Sequence, residues 1–204
     1  MSSVIRVASE ADATAISEIY APAVLERSTS FEVVPPDPHE FAGRIANILR
    51  RYPWLVCEQD GTVIGYAYAC AHRERAAYRW SVDVSAYISG TAHRRGIGTA
   101  LYSSLFGILA TQRFRNAYAG ITLPNAASEG MHRSNGFELV GIYHHVGYKQ
   151  GTWHDVAWFE RSISERIIDP PEPIPFPDVR STREVAVALK KGQGLIRPMR
   201  DRQS

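Results

Sequence analysis

The chain has 204 residues, which suits one domain with a short appendage. At 45% hydrophobic and 22% charged it can bury a sizeable core, and a formal net charge of +2 carries no general nucleic-acid signature. No apolar run is long enough to span a bilayer, and Met1 to Arg6 lacks a secretory pattern, so a cytoplasmic protein with neither membrane nor nucleic acid as partner is expected.

In chain order, Val4 to Val7 reads as a short strand. Ser9, with Asp12 three residues on, makes a capping-box pattern, and Ile16, Ile19 and Tyr20 follow at helical spacing. Pro22 is expected to kink or end that helix. Asp37-Pro38 with Glu40 opens a second helix, whose apolar face is Phe41, Ile45, Ile48 and Leu49. Trp54 to Glu58 and Val63 to Ala71 read as a hairpin around Asp60-Gly61. A tight turn there sets Gln59 opposite Thr62 and Cys57 opposite Ile64. Cys70 then lies several residues further along, so a Cys57–Cys70 disulfide is not expected. Trp80 to Ile88 is a third strand and Thr99 to Gln112 a helix with Leu101, Leu105, Ile108 and Leu109 on one face. Ala117 to Ile121 reads as a strand, and Asn125 to Asn135 as a short helix stopped by Gly136. Phe137 to Tyr143 and Thr152 to Phe159 read as closing strands. Within the last, alternation puts Trp153 and Asp155 on one face and His154 on the other, against a triad or a metal site.

Composition changes after residue 168. Residues 170–177 are Pro-rich, which favours polyproline II or disorder. From Asp178 to Ser204 seven Lys/Arg stand against three Asp/Glu, with a weak helix around Glu184 to Lys191. Residues 169–204 are therefore set apart from a domain spanning 1–168, as a solvated tail or as a strap across a partner subunit.

The junction between the third strand and the following helix carries the chemistry. It reads His93-Arg94-Arg95-Gly96-Ile97-Gly98-Thr99. Two glycines let backbone N–H groups converge and a ligand come close, and the helix start adds partial positive charge. This is a cradle for a pyrophosphate, with Arg94 and Arg95 at its rim. A Walker loop would need Gly-Lys-Ser/Thr, and a dinucleotide fingerprint a third glycine where Leu101 stands.

What remains is Gln/Arg-x-x-Gly-x-Gly/Ala, and the segment resembles the acetyl-CoA loop of the GNAT N-acetyltransferases, with His93 in the first place. Other strings narrow the resemblance to the phosphinothricin and methionine sulfone or sulfoximine acetyltransferases: Arg50-Arg51-Tyr52-Pro53-Trp54, Ala77-Tyr78-Arg79-Trp80, Leu123-Pro124-Asn125, Met131-His132-Arg133-Ser134-Asn135-Gly136-Phe137 and Thr152-Trp153-His154-Asp155-Val156. It covers roughly residues 4 to 163. The resemblance implies the GNAT fold, an α/β (α+β) class with a mixed, mostly antiparallel, splayed sheet flanked by helices. It also implies acetyl-CoA as cosubstrate, a small amine as acceptor and a homodimer.

Residue by residue, the resemblance implies that Ala86, Tyr87 and Ile88 offer backbone to the pantetheine arm. His93, Arg94, Arg95, Gly96, Ile97, Gly98 and Thr99 hold the pyrophosphate. Asn125 and Ser128 touch the cosubstrate, with Ser128 serving the leaving thiolate, although both residues are also ordinary helix-start residues. The catalytic base falls at Asp83, where the family has glutamate. The shorter side chain loses about 1.5 Å of reach and favours relay through water. Phe31, Arg73, Arg75, Arg79 and His132 fall on the acceptor side, arginine suiting its oxygen-rich anionic groups. The function expected is transfer of acetyl to the α-amino group of a small amino acid or analogue, by direct attack in a ternary complex. A GNAT enzyme for a polyamine or protein N-terminus, a non-catalytic CoA sensor, and an interaction protein built on the basic tail stand as alternatives.

Overall fold

A computed structural model describes residues 3–198. Seven strands form one sheet: β1 (Ser3–Val7), β2 (Trp54–Gln59), β3 (Thr62–Ala71), β4 (Ser81–Ile88), β5 (Asn116–Thr122), β6 (Glu138–Lys149) and β7 (Thr152–Ser162). Their order is β1-β2-β3-β4-β5-β7-β6. Every neighbouring pair is antiparallel except β4 and β5. The helices are α1 (Ala13–Leu25), α2 (Pro38–Leu49), α3 (Ile97–Thr111), α4 (Ala126–Ser134), α5 (Phe176–Val179) and α6 (Arg183–Gln193).

Local chemistry sets these boundaries. The Ser9 N–H donates to Asp12 at 2.8 Å, and Arg6 holds the same carboxylate with two further bonds. That cap opens a 3-10 turn, Glu10–Asp12, which feeds α1. Pro22 does not end α1: the helix runs on to Leu25, and the Glu26 N–H donates to the Pro22 carbonyl. Asp37 caps α2 by accepting from the Glu40 N–H at 2.8 Å, with Pro38 as its first residue. Asp60 and Gly61 both have positive φ, as a two-residue hairpin turn requires. A bulge between Cys57 and Glu58 sets Cys57 opposite Gly65 instead of Ile64. Both cysteines are free, as expected.

Two layers cover the sheet. On one face Ile16, Tyr20, Val24, Phe41 and Ile45 of α1 and α2 pack on Trp54, Val56 and Tyr66. On the other, α3 buries Leu101, Leu105, Ile108 and Leu109, each fully shielded, against Val82, Val84, Ala117 and Ala119. Truncating any of the four to alanine would cost about 2–5 kcal/mol. Alternation along β4 therefore sends Val82 and Val84 to the α3 layer and leaves Asp83, Ser85 and Tyr87 facing the other way.

The tail differs from a solvated segment. Phe176, Val179, Val185 and Ala188 are buried in the main core. The buried Gln112 side chain donates to the carbonyls of Arg51 and Ile174 at 2.8 Å each, pinning the Pro-rich stretch. Gly192 approaches α3 so closely that a Cβ would strike Ser104 and the Ala100 carbonyl. The apolar face of α6 is thus used within its own chain. Composition concealed this: prolines and lysines on the outside mask four inward apolar residues.

Candidate functional site

β4 ends at Ile88, turns through Gly90–Ala92, and enters the glycine loop. Gly96 is the N-cap of α3 in a left-handed conformation, φ 75°, which glycine adopts without steric penalty. The helix begins at Ile97, two residues before the expected Thr99. The N–H groups of Ile97, Gly98 and Thr99 lie in its first turn and lack intrahelical acceptors. A Cβ at Gly98 would stand 3.6 Å from Met131, an ordinary contact. Packing does not demand glycine there, whereas close approach of a ligand would. The Thr99 hydroxyl accepts from Asn135 Nδ2 at 3.2 Å, which ties α3 to α4.

The loop side chains divide. His93 donates through Nε2 to the Ile88 carbonyl at 3.1 Å, closing the turn. Arg95 points to Gln59 Oε1 at 2.6 Å and to the Arg197 carbonyl at 3.4 Å, away from the rim position expected for it. Arg94 is exposed, with φ 64°.

β4 and β5 pair only over Ser81–Asp83 and Asn116–Tyr118. Beyond this the strands part. β3 takes one edge of Val84 to Ile88, and the edge toward β5 has no strand partner. Ala86, Tyr87 and Ile88 all lie on that open edge. It has the form to accept an extended arm as an added strand, leading to the α3 N-terminus.

Asp83 stands at the fork, opposite Tyr118. Its Oδ1 lies 2.6 Å from His72 Nδ1. Burial raises its carboxyl above the ordinary value, opposed by the hydrogen bond and charge of His72 and the charge of Arg73. The His72 ring stacks on Tyr118 with centroids 4.3 Å apart, and meets Tyr78 and Trp158 edge-on at 5.8 and 6.3 Å. The Trp158 indole lies over Gly120, and its N–H is buried with no hydrogen-bond partner among the described residues.

The three arginines differ in place. Arg73 lies over the Trp158 ring at 5.6 Å and donates to the His72 carbonyl at 2.7 Å. Arg75 is exposed at the start of the turn Ala76–Tyr78. Arg79 is drawn to Glu172 of the tail and covers Trp80. Phe31 packs beside Gly147 and the His154 ring on the β6–β7 hairpin. It shares a face of β7 with Trp158, roughly four residues or about 13 Å along the strand.

Asn125 caps α4, its side chain accepting from the Ser128 N–H at 3.1 Å. Ser128 Oγ lies 3.4 Å from His132 Nδ1. His132 is neither on the helix surface nor beside Asp83. It is buried, donating from Nδ1 to the Ser128 carbonyl at 2.8 Å and accepting through Nε2 from the Tyr102 hydroxyl at 3.0 Å. Burial lowers its pKa, the Ser128 carbonyl opposing. The imidazole lies inside the α3–α4 contact with both nitrogens engaged. Asp155 bonds His144 and the His145 N–H, while His154 turns to the Lys149 carbonyl, so no triad forms. Among the described residues no cluster of metal-ligating side chains occurs. None of their helices is long and apolar enough to cross a membrane.

Sequence reasoning missed His72, Tyr118 and Trp158. Only one signal pointed to His72: it follows directly on Cys70 and Ala71 at the end of β3, where antiparallel pairing with β4 places it near Asp83.

Comparison with known proteins agrees with this geometry. Residues 5–158 match the acetyltransferase (GNAT) domain model. The chain is 35% identical to the phosphinothricin N-acetyltransferase of Streptomyces viridochromogenes, over 83% of its own length and 92% of that protein. It is 34% identical to the L-methionine sulfoximine/L-methionine sulfone acetyltransferase of Salmonella typhimurium, over 79% and 95%. It superposes with a TM-score of 0.80 on a phosphinothricin acetyltransferase from Sinorhizobium meliloti, solved in complex with acetyl-CoA. That match is 40% identical and covers 87% of this chain and 97% of the other. A shared fold, a matching domain over three quarters of the chain and these identities together place it: the chain belongs to the GNAT N-acetyltransferases, in the phosphinothricin and methionine sulfoximine acetyltransferase branch.

Proposed function

We propose that this enzyme transfers acetyl from acetyl-CoA to the α-amino group of a small amino acid or analogue bearing oxygen-rich side-chain groups. The observation that carries the reading is the position of Asp83. A carboxylate stands at the fork, on the last β4 residue paired with β5, where the open strand edge toward the glycine loop begins. The residues fit the cosubstrate. Ile97, Gly98 and Thr99 would hold its pyrophosphate with backbone N–H groups, Arg94 would add charge, and Ala86 to Ile88 would pair with its arm. Asn125 and Ser128, at the start of α4, stand ready at its sulfur end. When bound, it supplies an activated acyl group.

The chain must then do three things. It must draw a proton from an ammonium that is mostly protonated at neutral pH, which falls to the Asp83 side of the fork. A backbone N–H near Tyr87 or Ile88 would stabilise developing negative charge on the acyl oxygen. The acceptor's own anionic groups would meet Arg73 and Arg75, and the unpartnered Trp158 N–H suits one of its oxygens. Arg79 is engaged by Glu172 and has the weaker claim. Phe31 would cover the aliphatic part of an acceptor that extends along β7.

A homodimer goes with this reading. Strand β6 is the sheet edge and exposes Leu139, Val140, Ile142, Tyr143, Val146 and Tyr148, with Trp153 of β7 beside them. Sedimentation equilibrium checks it. A cytoplasmic location, where acetyl-CoA is available, also goes with it.

The test is turnover of an amine panel with acetyl-CoA, followed by free CoA release. Phosphinothricin, methionine sulfone and methionine sulfoximine stand at its head, with polyamines and a peptide N-terminus behind. Saturable turnover of an α-amino acid analogue is expected. Turnover confined to polyamines or peptides would move the substrate class. No turnover with retained acetyl-CoA binding would leave a sensor.

A further inference from the structure

We propose that His72 is the group that takes the amine's proton, with Asp83 as its positioning residue. This inference rests on the acetyltransferase reading above and concerns only how the proton leaves.

The geometry has three parts. First, the contact between His72 Nδ1 and Asp83 Oδ1 is 2.6 Å. An ionised carboxylate can only accept, so Nδ1 carries the hydrogen and the lone pair of the neutral ring is on Nε2. No described residue takes that second nitrogen in a hydrogen bond. Second, the ring is held. It stacks on Tyr118 and is flanked by the edges of Tyr78 and Trp158. Its side chain is 13% exposed, against 26% for Asp83, so neither is sealed from solvent. Third, the pair repairs a shortfall. Asp83 is one methylene shorter than glutamate, and an imidazole placed on it carries the proton-accepting atom further from β4.

The titratable and charged groups facing the His72 ring are Asp83 from β4, Cys70 at the end of β3, Arg73 and Tyr78 from the connection, and Tyr118 from β5. Of these Asp83 holds the ring through Nδ1, and Arg73, by donating to the His72 carbonyl, fixes the backbone beneath.

The step balances. The amine lone pair forms the new C–N bond at the acyl carbon. The C–S bond breaks with its electron pair on sulfur. Of the two protons the ammonium gives up, His72 Nε2 takes one and returns it to solvent, and the departing sulfur keeps the other.

The experiment uses the full chain and whichever amine the panel identifies. His72→Gln, His72→Phe, His72→Ala, Asp83→Asn and the His72→Gln/Asp83→Asn double variant are compared. Acetyl-CoA affinity by calorimetry serves as the check on folding. His72→Gln is expected to lower kcat by about 10²–10⁴ and to lose the acid limb of the kcat/KM profile, with acetyl-CoA affinity unchanged. His72→Phe keeps the stacking on Tyr118 without the nitrogens, and is expected to lose as much. The double variant is expected to cost no more than His72→Gln alone, as for groups that act as a unit. Free imidazole is expected to restore part of the turnover of His72→Ala. Turnover of His72→Gln or His72→Phe within about threefold of wild type, with Asp83→Asn impaired, would overturn the proposal and leave Asp83 as the base. So would a folded His72→Ala that imidazole does not help. Absence of any amine turnover in the wild type would instead overturn the acetyltransferase reading itself.

Discussion

The two sides of the fork are built in different ways. The proposed cosubstrate side is one contiguous stretch, His93 to Thr99, in which backbone would carry the function and the side chains of His93 and Arg95 are spent on holding the loop. The proposed acceptor side is a gathering of side chains. His72 and Arg73 come from the end of β3, Asp83 from β4, Tyr118 from β5 and Trp158 from β7. A backbone cradle has one design, because N–H groups are the same in every residue and only glycine is needed to expose them. A side-chain pocket has many designs, and its chemistry depends on which residue each strand contributes. On the proposed reading the cradle speaks for the reaction, and the pocket for the amine.

This contrast can be broken most sharply at Gly98. Gly98→Val leaves the first added carbon in ordinary contact with Met131. The fold should hold, and acetyl-CoA should bind at least about 100-fold more weakly, since a branched side chain covers the N–H groups of the helix start. Calorimetry together with a melting curve reads both. A folded variant with unchanged affinity would remove the cradle from the binding site.

The next largest effect belongs to the pocket. Arg73→Ala should raise the acceptor KM by about tenfold, the worth of one charge-assisted hydrogen bond, and leave the acetyl-CoA KM within about twofold. Arg79→Ala is the comparison on the same connection. Its charge is met by Glu172, so little change is expected in either KM. Arg75→Ala measures whether an exposed arginine can swing in to share the acceptor. Equal effects of Arg73→Ala on both substrates would end its acceptor role.

The same contrast explains what was legible in the sequence. The glycine turn and the succession of strands and helices followed from patterns local to the chain, because capping, turn chemistry and alternation act over a few residues, whereas Asp83 came only through the family resemblance. Pro22 was expected to kink or end α1, and it does not end it, because the helix tolerates one lost hydrogen bond while Ile16, Tyr20, Ala23 and Val24 stay buried around it. His132 resembled a substrate contact by its neighbours in sequence. Its burial depends on Tyr102, thirty residues earlier. His72 was passed over for the opposite reason, since its partner lies across a strand pair and no short motif contains both. Local rules cannot see which distant side chain completes a hydrogen bond.

The tail gives the smallest and most specific effect, because there the two kinds of construction meet. After α6 packs on α3 through Gly192 and Ser104, the chain turns back to the glycine loop. The Arg197 N–H donates to the Arg95 carbonyl at 3.0 Å, and Arg95 Nε approaches the Arg197 carbonyl at 3.4 Å. The Leu195 carbonyl would stand 3.3 Å from a Cβ at Gly96. These contacts brace the loop without reaching its N–H groups, and they come from residues beyond the matched domain, which ends at 158. A chain ending at Gly194 keeps α5 and α6, and so keeps the buried Phe176, Val179, Val185 and Ala188. Its melting temperature should change little. Its affinity for acetyl-CoA should fall about fivefold, the worth of one net hydrogen bond spent on ordering the loop, with kcat and the acceptor KM nearly unchanged. If affinity is unaltered, the last residues only cover the core and the loop stands by itself. If melting temperature and affinity fall together, the contact supports the whole α3 layer, and the loop is held no more specifically than its neighbours.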